Sequence, residues 1–295
     1  MADFIISACS TADLTKEQFE EHDIKYIYFH YTLDGVSYLD DLGQSMNFDD
    51  FYKKMEEGAD TATSQINPDE FVEFFTPFLE EGKDIIHLSL SSGISGVYNS
   101  ATIAKDMLLE KYPDRKIIII DSLAASAGYG LFMVEISEKK KNGATIDEIA
   151  AWVEDVKLKM NHWILVTDLK YLVRGGRVSK ASGTIGNMLN ICPIIEVNNE
   201  GKLIPREKVR GKKKGIKRMA ELMEQHAEGG VDYSGKCYIS MSACPEDAEA
   251  VAAAIKEKFH KIDGEIIINY IGTTIGSHTG PGTTALFFWG DERQV

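Results

Sequence analysis

Residues Asp84–Ala101 read DIIHLSLSSGISGVYNSA. The run Ile85-Ile86-His87-Leu88-Ser89-Leu90 is apolar and short, the pattern of a buried strand. Ser91-Ser92-Gly93-Ile94-Ser95-Gly96 breaks it. From Val97 the apolar positions recur with helical spacing through Ala101, Ile103 and Ala104 to Leu108. Strand, small-residue turn and helix therefore follow one another. A helix start after such a turn leaves backbone N–H groups unpaired and adds a partial positive charge. Three serine hydroxyls share the turn, which suits a carboxylate or phosphate. The same residues also serve as ordinary caps and turns.

Upstream, Phe4–Ala8 reads as a strand. Thr15 caps a helix through Phe19. Ile24–Tyr31 and Val36–Leu39 read as strands parted by Leu33-Asp34-Gly35, and Phe48–Glu57 as a helix. Asp60–Pro68 reads as a polar, hydroxyl-rich segment, and a helix carries Phe71, Phe74, Phe75, Phe78 and Leu79, with Pro68 at its first position. Downstream come an apolar strand, Lys116–Ile120, then helices from Ala127 to Lys140 and from Ile146 to Lys159. Strands alternating with helices predict an α/β domain: αβα layers around a mainly parallel sheet, over residues 1–160.

Residues 161–295 read differently. Strands are expected at His162–Thr167, Cys192–Val197, Lys202–Lys208, Lys236–Ala243, Glu265–Ile271 and Ala285–Trp289. Helices are expected at Asp168–Val173, Ser179–Leu189, Gly215–Glu228 and Pro245–Phe259. Asn198-Asn199-Glu200-Gly201 is a hairpin turn. Hairpins in place of crossovers predict a second, α+β domain with a mainly antiparallel sheet. Gly272–Thr283, with four glycines around His278, reads as a long loop.

The net charge of −14 argues against general nucleic-acid binding. It is unevenly spread: Arg206 to Arg218 holds eight Lys or Arg and one acid, a local +7. No segment approaches the ~20 apolar residues of a membrane span, and the first residues read as a strand, not a targeting segment. Cys9, Cys192, Cys237 and Cys244 show neither metal-ligand spacing nor a disulfide framework, so a reducing, cytoplasmic setting is expected. No metal or nucleotide motif is present. Gly93-Ile94-Ser95-Gly96-Val97 departs from the Gly-x-Ser-x-Gly elbow of serine hydrolases. An esterase or acyl transferase using Ser95 with His278 as base is the alternative to a binding protein, and a module for some other small anion is a third reading.

Several segments, in order, resemble the DegV family of bacterial proteins, which includes the fatty-acid-binding subunits of fatty acid kinase. They are Ser10-Thr11-Ala12-Asp13-Leu14, Thr63-Ser64-Gln65, Ser91 to Ala101, Asp121-Ser122, Tyr171 to Lys180, Pro193-Ile194-Ile195 and Ile275 to Gly282. The resemblance implies two domains with a long-chain fatty acid in the cleft between them. It implies a carboxylate held by Thr63 and by Ser95 at the Ser95-Gly96 step, with His278 nearby, and Ser64, Ser92, Ser122 and Arg177 in the vicinity. The protein would be no catalyst itself and would use no cofactor. A separate ATP-dependent kinase would phosphorylate the bound carboxylate to an acyl phosphate for phospholipid synthesis. Arg206 and Arg210 would help dock that partner, with transient contact at the membrane surface. Hydroxyls, turn N–H groups and a histidine hold a carboxylate without a fixed full-charge partner. Cys9, Val97 and Cys192 depart from the family pattern of Asp, Thr and Lys. The first two are expected to remove polar groups near the headgroup.

Overall fold

The computed structural model describes residues 3–179 and 190–295. The helix expected over Ser179–Leu189 lies, from residue 180 on, outside the described residues. In chain order the first half contains β1 (Phe4–Cys9), a 3-10 turn (Ser10–Ala12), α1 (Lys16–Glu21), β2 (Ile24–Ile27), β3 (His30–Leu33), β4 (Val36–Leu39) and α2 (Phe48–Glu56). It continues with β5 (Thr61–Ser64), α3 (Pro68–Glu80), β6 (Asp84–Ser89), α4 (Val97–Lys111), β7 (Ile117–Asp121), α5 (Ser126–Lys141) and α6 (Ile146–Val156). Then come β8 (Met160–Leu165), α7 (Lys170–Arg174), β9 (Ile191–Val197), β10 (Leu203–Arg210) and α8 (Lys212–His226). The chain ends with β11 (Tyr238–Met241), α9 (Pro245–Lys256), β12 (Ile267–Tyr270), α10 (Thr273–Thr279) and β13 (Thr284–Trp289).

Three sheets form among these residues. One is parallel throughout, in the order β2-β1-β6-β7. One is small and antiparallel, β4-β3-β5. The largest, β10-β9-β8-β13-β11-β12, is antiparallel except where β11 runs parallel to β12. The fold is thus α/β with a parallel and a mainly antiparallel part. Helices α3 and α4 cover one face of the parallel sheet, burying Phe71, Phe75, Val97 and Ala101 against Ile5 and Ile85. Helices α8 and α9 cover the outer face of the large sheet.

Helix α5 lies between the two sheets. Every residue from Ser126 to Val134 is buried, because both sides of the helix meet a sheet. Its glycines allow that approach: a Cβ on Gly128 would sit 2.5 Å from His162 Nε2, and one on Gly130 2.5 Å from the Ala12 carbonyl oxygen. No amphipathic stripe marks this part of the helix in the sequence, since it has no wet face.

Three segments differ from the sequence reading. Ile24–Tyr31 is not one strand. It breaks at Tyr28-Phe29, where the Phe29 N–H donates to Ser10 Oγ and its carbonyl accepts from Asp40, so β2 and β3 enter different sheets. The polar segment after Asp60 contains β5, whose β-branched threonines pair with β3. Gly272–Thr283 is not a loop throughout, because α10 occupies its first part. Asp40 accepts from the Thr273 N–H and hydroxyl at its start, and Gly280, at φ +76°, ends it.

Candidate functional site

A cavity of about 370 Å³ opens where the carboxyl ends of the parallel strands face the inner side of the large sheet, the usual location of ligands in such sheets. Phe29, Leu90 and Ala125 follow the ends of β2, β6 and β7. The far wall is made by alternate residues of two paired strands, His162 and Ile164 of β8 opposite Phe287 and Ala285 of β13. The period of two puts all four on one face. Leu172, Val197, Leu203, Ile271 and Ile275 complete a mainly apolar chamber. The sequence reading assigned none of these residues to a cavity wall, and they come from separate segments of the chain.

The polar end is assembled from four segments. Thr63 sits on β5, opposite Tyr31 of β3. Its Oγ1 lies 2.7 Å from Nε2 of His278, near the end of α10. Ser95 is in the central turn, where its N–H donates to the Ser91 carbonyl and its Oγ accepts from Val97 N–H at 3.3 Å. The end of β5 abuts this turn: a Cβ on Gly96 would lie 2.6 Å from Gln65 Oε1. Arg177 closes the group, donating Nε to Ile94 O and Nη1 to Gly175 O. Thr63, Ser64, Ser95, Arg177 and His278 all line the cavity.

Burial, then Arg177 and Arg174, push the His278 imidazole down to about 4, so it is neutral near pH 7. Its Nδ1 is buried and has no hydrogen-bond partner among the described residues. An orphaned acceptor is less costly than an orphaned donor, which assigns the proton to Nε2, donated to Thr63 Oγ1. The Thr63 proton is then available to the cavity, as is that of Ser95. Two hydroxyl donors at the end of an apolar chamber match the two oxygens of a carboxylate.

A Ser–His hydrolase does not fit this geometry. Nε2 of His278 is engaged with Thr63, no carboxylate among the described residues orients Nδ1, and a ring titrating near 4 is a poor base at neutral pH. The serines of the central turn divide. The Ser91 hydroxyl is buried and donates to Gly201 O across the two halves. Ser92 is exposed, with its N–H on Asp121 Oδ1, and lies outside the cavity wall. Ser122 is fully buried just after the end of β7, where it donates to Ser89 O at 2.6 Å, and lies outside the cavity wall. Arg177, expected in the vicinity of the polar end, lines the cavity there and brings a guanidinium to it. Cys9 and Val97 lie wholly in the core under α3 and α4 and line no part of the cavity, so neither removes a headgroup contact. Burial pushes the Cys9 thiol up to about 12. Cys192 is buried in β9, facing α8.

The basic window is partly neutralised in place. Arg206 pairs with Glu196 at 2.6 Å and donates to the Val295 carbonyl oxygen. Arg218 pairs with Glu207, and Lys212 with Asp247, at 2.7 Å each. Lys208, Arg210, Lys213 and Lys214 are exposed and form no ion pair among the described residues. No helix among the described residues is long and apolar enough to cross a membrane.

The DegV family model matches residues 5–291. A DegV domain-containing protein of Clostridium perfringens is 41% identical over 294 residues, covering 100% of both chains. Two Thermotoga maritima structures are each 29% identical over 99% of this chain and 100% of theirs. One is of a DegV lipid binding protein (TM-score 0.86) and one of a protein described as revealing fatty acid binding function (TM-score 0.83). The fold alone is shared, at 22% identity and TM-score 0.83 over 99% of this chain and 100% of that one, with a Streptococcus pneumoniae fatty acid kinase B3 protein loaded with linoleic acid.

Proposed function

The chain belongs to the DegV family, and we propose that it binds a long-chain fatty acid, with the carboxylate on Thr63 and Ser95 and the tail in the chamber between the two halves. The observation that carries this is the Thr63–His278 hydrogen bond of 2.7 Å at the polar end of a mainly apolar cavity. Its volume falls within the usual range for ligand sites. Burying ~15 methylenes at ~0.8 kcal/mol each gives roughly 12 kcal/mol before ordering and desolvation are subtracted. The tail thus supplies most of the affinity and the polar end chooses the headgroup. In this reading residues 1–160 and 161–295 are the two units, and Arg177 adds positive potential beside the carboxylate.

The finer part of the proposal is that a separate ATP-dependent kinase phosphorylates the bound carboxylate in the cytoplasm and that the acyl phosphate serves phospholipid synthesis. The protein presents the substrate and performs no chemistry. A neutral histidine and two hydroxyls leave a carboxylate oxygen unprotonated and able to attack a phosphoryl group. The docking surface falls on the unpaired cations around Arg210, since Arg206 is held by Glu196. Denaturing extraction and mass spectrometry of the purified protein test the binding step. Near-stoichiometric fatty acid is expected; a protein that neither carries nor takes up fatty acid refutes the reading.

A further inference from the structure

Asp13 and Asp40 meet at the start of α10. They are 5% and 2% exposed, and the described residues provide no Lys or Arg within ion-pair distance of either. Both are held by uncharged donors. Asp13 Oδ1 accepts from Gly272 N–H at 3.0 Å, and Oδ2 is bonded to Ser126 Oγ. Asp40 Oδ1 accepts from Thr273 N–H at 3.2 Å and Thr273 Oγ1 at 2.8 Å, while Oδ2 accepts from Ser10 Oγ at 3.1 Å. A Cβ on Gly272 would stand 2.8 Å from Asp13 Oδ1 and 3.3 Å from Asp40 Oδ1, so the carboxyls crowd one backbone position.

Burying two carboxyls side by side without a cation is costly. Capping alone does not account for it, because an uncharged Ser, Thr or Asn caps a helix as well. What distinguishes the place is its connections. Ser10 and Asp13 belong to the turn after β1, Asp40 follows β4, and Ser126 starts α5 and lines the cavity. The helix they hold comes from the other half of the chain and carries His278. A third link from the first half, Tyr52 Oη to Ile271 O at 2.7 Å, fixes the segment just before it. Burial raises both carboxyls above the ordinary aspartate range.

We propose that Asp13 and Asp40 are positioning residues for headgroup recognition: by gripping the Gly272-Thr273 step they set α10 so that His278 Nε2 meets Thr63. The role rests on the fatty acid reading above. It differs from plain stabilisation in that its loss weakens recognition of the carboxylate and leaves recognition of the tail unchanged. It also acts through His278, so it disappears once His278 is gone.

The test is a double-mutant cycle on the full chain, with hexadecanoic acid and its methyl ester as probes. Asp40→Ala is expected to lower affinity for the acid about tenfold or more while affinity for the ester stays within about twofold. Asp40→Asn, which keeps an acceptor for Thr273, restores most of the loss. Asp40→Ala combined with His278→Gln is expected to bind the acid no more weakly than His278→Gln alone. Equal losses for acid and ester, or losses that multiply in the double variant, overturn the proposal and leave fatty acid binding standing. A wild type that binds neither probe refutes the lipid reading and this role with it. Should Asp40→Ala not fold, Thr273→Val removes only the hydroxyl that Asp40 accepts. It carries the same cycle, with a smaller loss confined to the acid and the same outcomes.

Discussion

The two ends of one cavity are built on opposite plans. At the polar end four short segments each contribute one or two side chains, and hydrogen bonds fix Thr63 and His278 to each other, Ser95 to its own turn and Arg177 to two carbonyls. The apolar end is made of side chains that happen to face inward from strands whose outer faces do other work, as with Ile164 and Ala285. In the proposed reading the polar end governs which headgroup binds, and the apolar end how tightly and how long a chain. Substitutions at the two ends should have different signatures.

The largest effect is expected in the chamber. Ala285→Phe puts a ring where the tail would lie and displaces roughly four methylenes, about 3 kcal/mol or some 200-fold for octadecanoic acid. Decanoic acid should lose much less. Calorimetric titration across a chain-length series checks this, and equal losses at all lengths would place the tail elsewhere. Overpacking adds ~1–3 kcal/mol of destabilisation, to be measured separately by denaturant unfolding.

At the polar end the effect is smaller and independent of chain length. Thr63→Ala and Ser95→Ala should each cost ~1.5–3 kcal/mol of binding with the fold intact. The double variant should lose less than the sum, because both hydroxyls serve one group. Strict additivity would mean that they do not share a ligand.

His278 also links this end to pH. Its native pKa, about 4, lies below the value of an unfolded histidine. Between those values the unfolded chain binds the extra proton, so stability conferred by this group is present near pH 7 and is lost as pH falls from about 6.5 to about 4. Wild type should lose on the order of 1–2 kcal/mol more than His278→Gln between pH 7 and pH 5 in urea unfolding. Identical losses would mean that the ring is not held neutral. The buried His87 and His162 act in the same sense in both proteins, while Asp13 and Asp40 act in the opposite sense, so the comparison with the variant isolates His278.

The smallest effect on binding is expected outside the cavity. Arg210→Glu with Lys213→Glu should leave fatty acid affinity within about 0.5 kcal/mol. The same pair should slow kinase-dependent phosphorylation, whose rate in the wild type should fall with salt, since exposed charges are screened within ~10 Å at 0.1 M. Unchanged rate and salt dependence would reduce these residues to a solvated surface.

This contrast also explains what the sequence made legible. Thr63, Ser95 and His278 stand out because hydroxyls, glycines and a histidine cluster in short stretches where packing offers no reason for them. The parallel sheet was legible because its strands are short apolar runs separated by helices. The wall was not, because Ile164 or Leu172 looks like any core residue until β8 and β13 are paired. The helix of α5 was legible, but its burial between two sheets over Ser126–Val134 was not. The helical state of Thr273–Thr279 was hidden for a related reason: its stability comes from Asp40, more than 230 residues earlier in the chain. Ser122 shows the opposite error. It has the composition of a site residue, yet its hydroxyl is spent on Ser89 O, a partner no local pattern announces.

The central claim is that the polar end reads a carboxylate while the chamber holds the chain. Titrating the delipidated protein with hexadecanoic acid and with its methyl ester tests it most directly. The account predicts that the wild type prefers the acid by about tenfold or more, and that the preference closes in Thr63→Ala/Ser95→Ala while the ester affinity stays unchanged. Equal affinity of the wild type for acid and ester would contradict it.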